Sequence, residues 1–153
     1  TGLNYNSSSV FALFTEVRDP EIAAKLGIGA AALVIVLLAV WFWLHRDNCS
    51  DRALVLAAAL LAVAIPFFLP HMHDRYFFIP GVLALVLAAS DLHFAPVPIF
   101  AELASLHCYY AYFNRYYLVQ PRIGGELMLA ALLLCIAYTA VYVRKARKFE
   151  INP

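Results

Sequence analysis

The stretch GIGAAALVIVLLAVWFWL, residues Gly27–Leu44, contains no ionisable side chain from end to end. A bilayer's hydrocarbon core, roughly 30 Å thick, is crossed by a helix of about 20 apolar residues, with a range of about 17–25. The stretch meets that length, and Trp41, Phe42 and Trp43 close it with rings suited to the membrane–water interface. Just upstream, Asp19-Pro20-Glu21 has the form of a helix start: an N-cap, proline at the first helical position, then an acid. Reading outward, four more apolar runs follow: Ala53–Leu69, Tyr76–Leu92, Phe94–Phe113 and Leu127–Val143. The third contains Pro80-Gly81, which reads as an interruption. The fourth carries Pro96, Pro98, Glu102 and His107 and is the least regular.

Composition supports a membrane reading. The 153 residues are 64% hydrophobic and 14% charged, whereas soluble domains average about 45–50% apolar and about 25% charged. A buried soluble bundle would need polar helix faces, and the first, second and fifth runs have none. The expected fold is all-α: a single polytopic bundle of about five transmembrane helices spanning 27–44, 53–69, 76–92, 94–113 and 127–143. The formal net charge of +1 comes with no basic stripe, which argues against nucleic acid. Three cysteines (Cys49, Cys108, Cys135) without a CxxC pair suggest neither a disulfide framework nor a zinc site. No cofactor motif is present. The chain opens on Thr1 and reads as part of something longer.

Orientation follows the lysines and arginines. Arg144, Lys145, Arg147 and Lys148 directly follow the fifth run and argue for a cytoplasmic C-terminus. Counting back places residues 1–25, 70–75 and 113–126 outside. Six basic residues then lie inside and five outside, so the basic tail carries the assignment. Asn6-Ser7-Ser8 and Asn48-Cys49-Ser50 match the glycosylation sequon, a triplet common by chance.

Charge concentrates in one short stretch, LPHMHDRYFFIPG (Leu69–Gly81), between the second and third runs. Its loop, residues 70–75, lacks the Gly, Ser and Asn of passive turns. Its ionisable groups run straight into Tyr76-Phe77-Phe78, which holds them at the hydrocarbon boundary, where such groups usually serve a pathway or a ligand. If helical, the stretch puts His71, Asp74 and Arg75 on one face; if extended, His71 and His73 share a side. Arg75 can grip a phosphate with two parallel hydrogen bonds, Asp74 orienting it and a histidine adding a donor. A metal held by His71, His73 and Asp74 is the rival chemistry. Glu102 and His107 are further candidates because they lie inside a span. The ring-rich HCYYAYFNRYY (His107–Tyr117) reads as an interfacial belt.

FLPHMHDRYFFIPGVLALVLA (Phe68–Ala88) resembles the C-terminal signature of GT-C membrane glycosyltransferases, in particular bacterial proteins related to the GPI-anchor second mannosyltransferase. His71, His73, Asp74, Arg75 and Tyr76 match that pattern, with Asp74 where glutamate is commoner. GLNYNSSSVFALF (Gly2–Phe14) resembles the same family's external loop. The resemblance spans about residues 1–90 and rests chiefly on one motif. It implies transfer of a sugar, mannose or a similar hexose, from a polyprenyl-phosphate donor to an acceptor on the extracytoplasmic face, in the cytoplasmic membrane of a bacterium. His71, His73, Asp74 and Arg75 would hold the donor phosphate. The base would lie upstream of Thr1, in an N-terminal remainder of the same protein. The competing class is a transporter or channel subunit built on discontinuous third and fourth helices, or a non-catalytic membrane module.

Overall fold

The computed structural model describes residues 2–45 and 50–151, with side chains through residue 143. The fold is an all-α bundle of α1 (Pro20–Leu44), α2 (Asp51–Phe68), α3 (Phe78–Ser90), α4 (Pro96–Asn114) and α5 (Pro121–Ile151). All five apolar runs are therefore helical. Three stretches are long and apolar enough to cross a membrane: α1, α2 and residues Pro121–Val143 of α5. This is compatible with an integral membrane protein.

The helix ends follow local chemistry. Asp19 caps α1, its carboxylate accepting from the backbone N–H groups of Glu21 and Ile22 at 3.1 Å, so α1 starts seven residues before the apolar run does. Pro20 is helical from the first position, where a missing N–H costs nothing. The same rule explains the third and fourth runs, and here the expected interruption is absent. Pro80 falls in the first turn of α3, and Pro96 and Pro98 in the first turn of α4, so both helices run unbroken. Helix α4 ends where Arg115 adopts a left-handed conformation (φ 63°) and its N–H bonds to the Ala111 carbonyl at 2.9 Å. Helix α5 continues past the membrane-length stretch into the basic tail. The side chains of Arg144, Lys145, Arg147 and Lys148 lie outside the described set, as do Cys49 and most of the Asn48-Cys49-Ser50 sequon.

Helices α2, α3, α4 and α5 form a closed antiparallel ring, α5 packing on both α4 and α2, while α1 packs chiefly on α2 from outside. Only 11% of the apolar window of α1 is buried, against 50% for α2, so α1 is the peripheral helix. The core combines large side chains (Leu56, Phe67, Phe77, Phe94, Met128) with small ones (Ala59, Ala84, Ala101, Ala104, Ala131). Small residues let helix backbones approach, which is how helices associate where lipid is as apolar as leucine. Helix α3 is the short member. Its 13 residues rise about 20 Å, less than the hydrocarbon thickness. The 3₁₀ turn Asp74–Phe77 stacks directly on its start and adds roughly 8 Å. The charged motif thus extends the axis of α3 instead of looping away from it.

Candidate functional site

The chain before α1 folds back onto the bundle. Asn4–Tyr5 (β1) pairs in parallel with Met72–His73 (β2), in the register Asn4↔Met72 and Tyr5↔His73. The His71 N–H donates to the Leu3 carbonyl at 2.8 Å. Side-chain bonds hold the segment down. Asn4 Oδ1 accepts from the Ser7 N–H (2.9 Å) and Ser7 Oγ (2.7 Å). Asn6 Nδ2 donates to the Cys108 carbonyl at 2.8 Å, and Ser8 Oγ donates to the Ala104 carbonyl at 2.9 Å. Ser7, Ser8 and Ser9 are buried. The Asn6-Ser7-Ser8 sequon is thus engaged in packing against α4, with its amide nitrogen already donating.

This strand pair determines the shape of the motif. His71 lies at φ 60°, in the left-handed region that costs a non-glycine residue of order 1 kcal/mol and clusters at functional sites. Met72–His73 is extended, so the extended alternative holds: His71 and His73 share a side, and both face Tyr5. The Tyr5 ring stacks on His73 at 5.2 Å between centroids and tilts against His71 at 5.6 Å. Asp74 opens the 3₁₀ turn, and Phe77 at its end is buried. Arg75 is exposed, its guanidinium 5.6 Å from the Tyr76 ring centre. No hydrogen bond or ion pair joins Asp74 to Arg75 among the described residues, so Asp74 does not orient Arg75 as the sequence suggested. Asp74 instead lies within electrostatic range of Tyr117, just beyond the end of α4. Burial, then Cys108 and Asp74, push the Tyr117 phenol up to about 12. Tyr117 therefore stays protonated and donates to Asn6 Oδ1.

Chemically, the motif offers a guanidinium with no ion-pair partner among the described residues and two imidazoles packed against Tyr5. Such a set recognises an anion with several oxygens. Among the described residues no group of three or more His, Cys, Asp or Glu side chains converges to hold a metal ion. Tyr5 escaped sequence reasoning because it lies distant along the chain from the motif, and Tyr117, read as part of an interfacial belt, instead bonds to Asn6. The only available signal for Tyr5 was the polar run NYNSSS, whose asparagines and serines are turn and cap formers.

Glu102 and His107 are not part of this motif. His107 packs its ring against Tyr117 at 5.4 Å, with Nε2 buried and without a hydrogen-bond partner among the described residues. Glu102 is exposed on the α3–α4 seam. The belt HCYYAYFNRYY keeps Tyr112, Phe113 and Tyr116 exposed at the end of α4.

A second polar cluster, unforeseen from sequence, ties the opposite end. Arg52 at the start of α2 donates to Asp91 Oδ2 and to the Tyr138 hydroxyl, both at 2.7 Å, and Tyr138 in turn donates to Asp91. His93 Nδ1 lies 2.9 Å from Asp91 Oδ1. These residues border a cavity of about 660 Å³. The Tyr138 hydroxyl, then the His93 ring and backbone N–H, hold the Asp91 carboxyl below the usual carboxylate range. A depressed acid stabilises fully above its unfolded pKa, about 4, and loses that contribution as the pH falls from there. The stability gap between wild type and Asp91→Asn, read from detergent-denaturation midpoints, is therefore expected to be constant above pH about 5 and to shrink below about 4. A gap independent of pH would mean that the carboxylate charge is irrelevant to this tie.

No family model, curated protein or solved structure matches the chain.

Proposed function

We propose that residues 1–153 form the C-terminal part of a GT-C type membrane glycosyltransferase. It moves a hexose such as mannose from a polyprenyl-phosphate donor to an acceptor on the extracytoplasmic face of a bacterial cytoplasmic membrane. The supporting observation is the motif itself: an exposed Arg75, without an ion-pair partner among the described residues, that follows two histidines braced on Tyr5 at the end of an apolar bundle. That is the depth at which a lipid phosphate lies. A phosphate leaving group gains negative charge as the sugar departs, so a fixed guanidinium and imidazole donors favour the transition state over the ground state. The N-terminal remainder of the protein would supply the base, and the 153-residue chain alone is expected to transfer no sugar. The transporter reading drew on broken third and fourth helices, and α3 and α4 are continuous.

Two measurements test the proposal. Binding of a polyprenyl phosphate to the intact protein in vesicles should exceed binding of the matching polyprenol, which lacks the phosphate. Equal binding of the two would reject the phosphate site. A cysteine placed at Met72 should react with an impermeant maleimide added outside intact cells. Labelling only after permeabilisation would invert the orientation and put the motif in the cytoplasm.

A further inference from the structure

Glu102 is the one carboxylate lying well inside the length of α3 or α4. It stands six residues in from Pro96, about 9 Å along α4, and its side chain reaches Gly81, three residues into α3. A Cβ at Gly81 would overlap Glu102 Oε1, so the missing side chain lets the carboxylate lie across the seam between the two helices. Glu102 is exposed and makes no hydrogen bond or ion pair among the described residues.

The apolar surface around it needs no cover by itself. Val82, Leu85, Ile99, Leu103 and Leu106 are 44–64% exposed, and lipid tails satisfy such a surface as they satisfy the exposed face of α1. The α1 face, however, has no ionisable group between Leu26 and Leu44. An unpaired carboxylate against hydrocarbon is costly, and intramembrane charges pair or face protein. Tyr109, two turns along α4, feels both Glu102 and Asp74, so the polar character continues from the seam towards the motif.

We infer that the α3–α4 seam is the docking face for a further transmembrane helix, outside residues 1–153, that presents a lysine or arginine to Glu102. The charge specifies the occupant: a purely apolar helix would bury the carboxylate unpaired, and an acidic one would repel it. The inference goes beyond sugar transfer and does not depend on it. It requires that α3 and α4 lie in the bilayer beside α1, α2 and Pro121–Val143 of α5, the three stretches long and apolar enough to cross it.

The test uses the full 153-residue chain in lipid vesicles with fluorescently labelled poly-leucine transmembrane peptides carrying one central lysine, one central glutamate or leucine throughout. Energy transfer should report association of the lysine peptide with the wild-type chain roughly tenfold tighter than with Glu102→Gln, the scale of an interhelical polar contact. The leucine and glutamate peptides should show no such preference. A Glu102→Lys chain should reverse the selection and prefer the glutamate peptide, which guards against a loss caused by misfolding alone. Equal association of the lysine peptide with wild type and Glu102→Gln, or no association at all, would overturn the inference.

Discussion

Replacing Arg75 by alanine is expected, on the proposed glycosyltransferase function, to lower the turnover of the intact protein by roughly 10²–10³-fold, the loss seen when one preorganised oxyanion donor is removed. Arg75 is exposed and has no ion-pair partner among the described residues, so its loss leaves no buried group unsatisfied and the bundle should fold normally. The effect should therefore appear in turnover, with thermal stability little changed. Arg75→Lys should recover only part of the rate, because an ammonium cannot fork onto two phosphate oxygens. Asp74→Glu should be mild, since the resembling family commonly carries glutamate there and Asp74 makes no bond to Arg75 that an extra methylene would break. A folded Arg75→Ala enzyme with undiminished turnover would leave the motif a surface turn.

Phe77→Ala should act through the fold. Phe77 is 2% exposed and seats the 3₁₀ turn in the same buried cluster as Phe67 and Ala101. Truncating a buried phenylalanine costs about 3–5 kcal/mol in water-soluble proteins. About 3 kcal/mol is expected here, because in a bilayer the reference state is already out of water and the cavity left behind dominates. Since Asp74 and Arg75 ride on the same turn, substrate binding should weaken along with stability, whereas Arg75→Ala separates the two. Steric-trap or detergent-denaturation midpoints would measure the loss. An unchanged midpoint would mean that the turn is held by the strand pair alone.

Sequence alone determined the helices, because each depends on residues within a few positions of itself. An uncharged run of membrane length, Asp19-Pro20-Glu21 at a helix start and the antiparallel order of five apolar segments are all local or periodic signals. Proline position was also legible in principle: Pro80, Pro96 and Pro98 each fall within the first turn of a helix, where the missing N–H breaks no bond, and reading Pro80-Gly81 as a break overlooked that rule. The four residues of the motif stood out because charge between two apolar runs needs a reason.

Only the tertiary structure decided how those four residues are presented. The choice between a helical and an extended motif was open locally. It fell to the parallel pairing of Met72–His73 with Asn4–Tyr5, residues almost seventy positions away, and that pairing turned both histidines towards Tyr5. Asp74 likewise looked like Arg75's natural partner by adjacency, yet no hydrogen bond or ion pair joins the two among the described residues. The Arg52–Asp91–Tyr138 tie joins three separate elements, and Glu102 meets Gly81 across a helix seam. Neither follows from spacing, because hydrogen bonds and steric gaps between helices depend on rotation and depth in the bundle, which packing sets and a single strand of sequence does not encode.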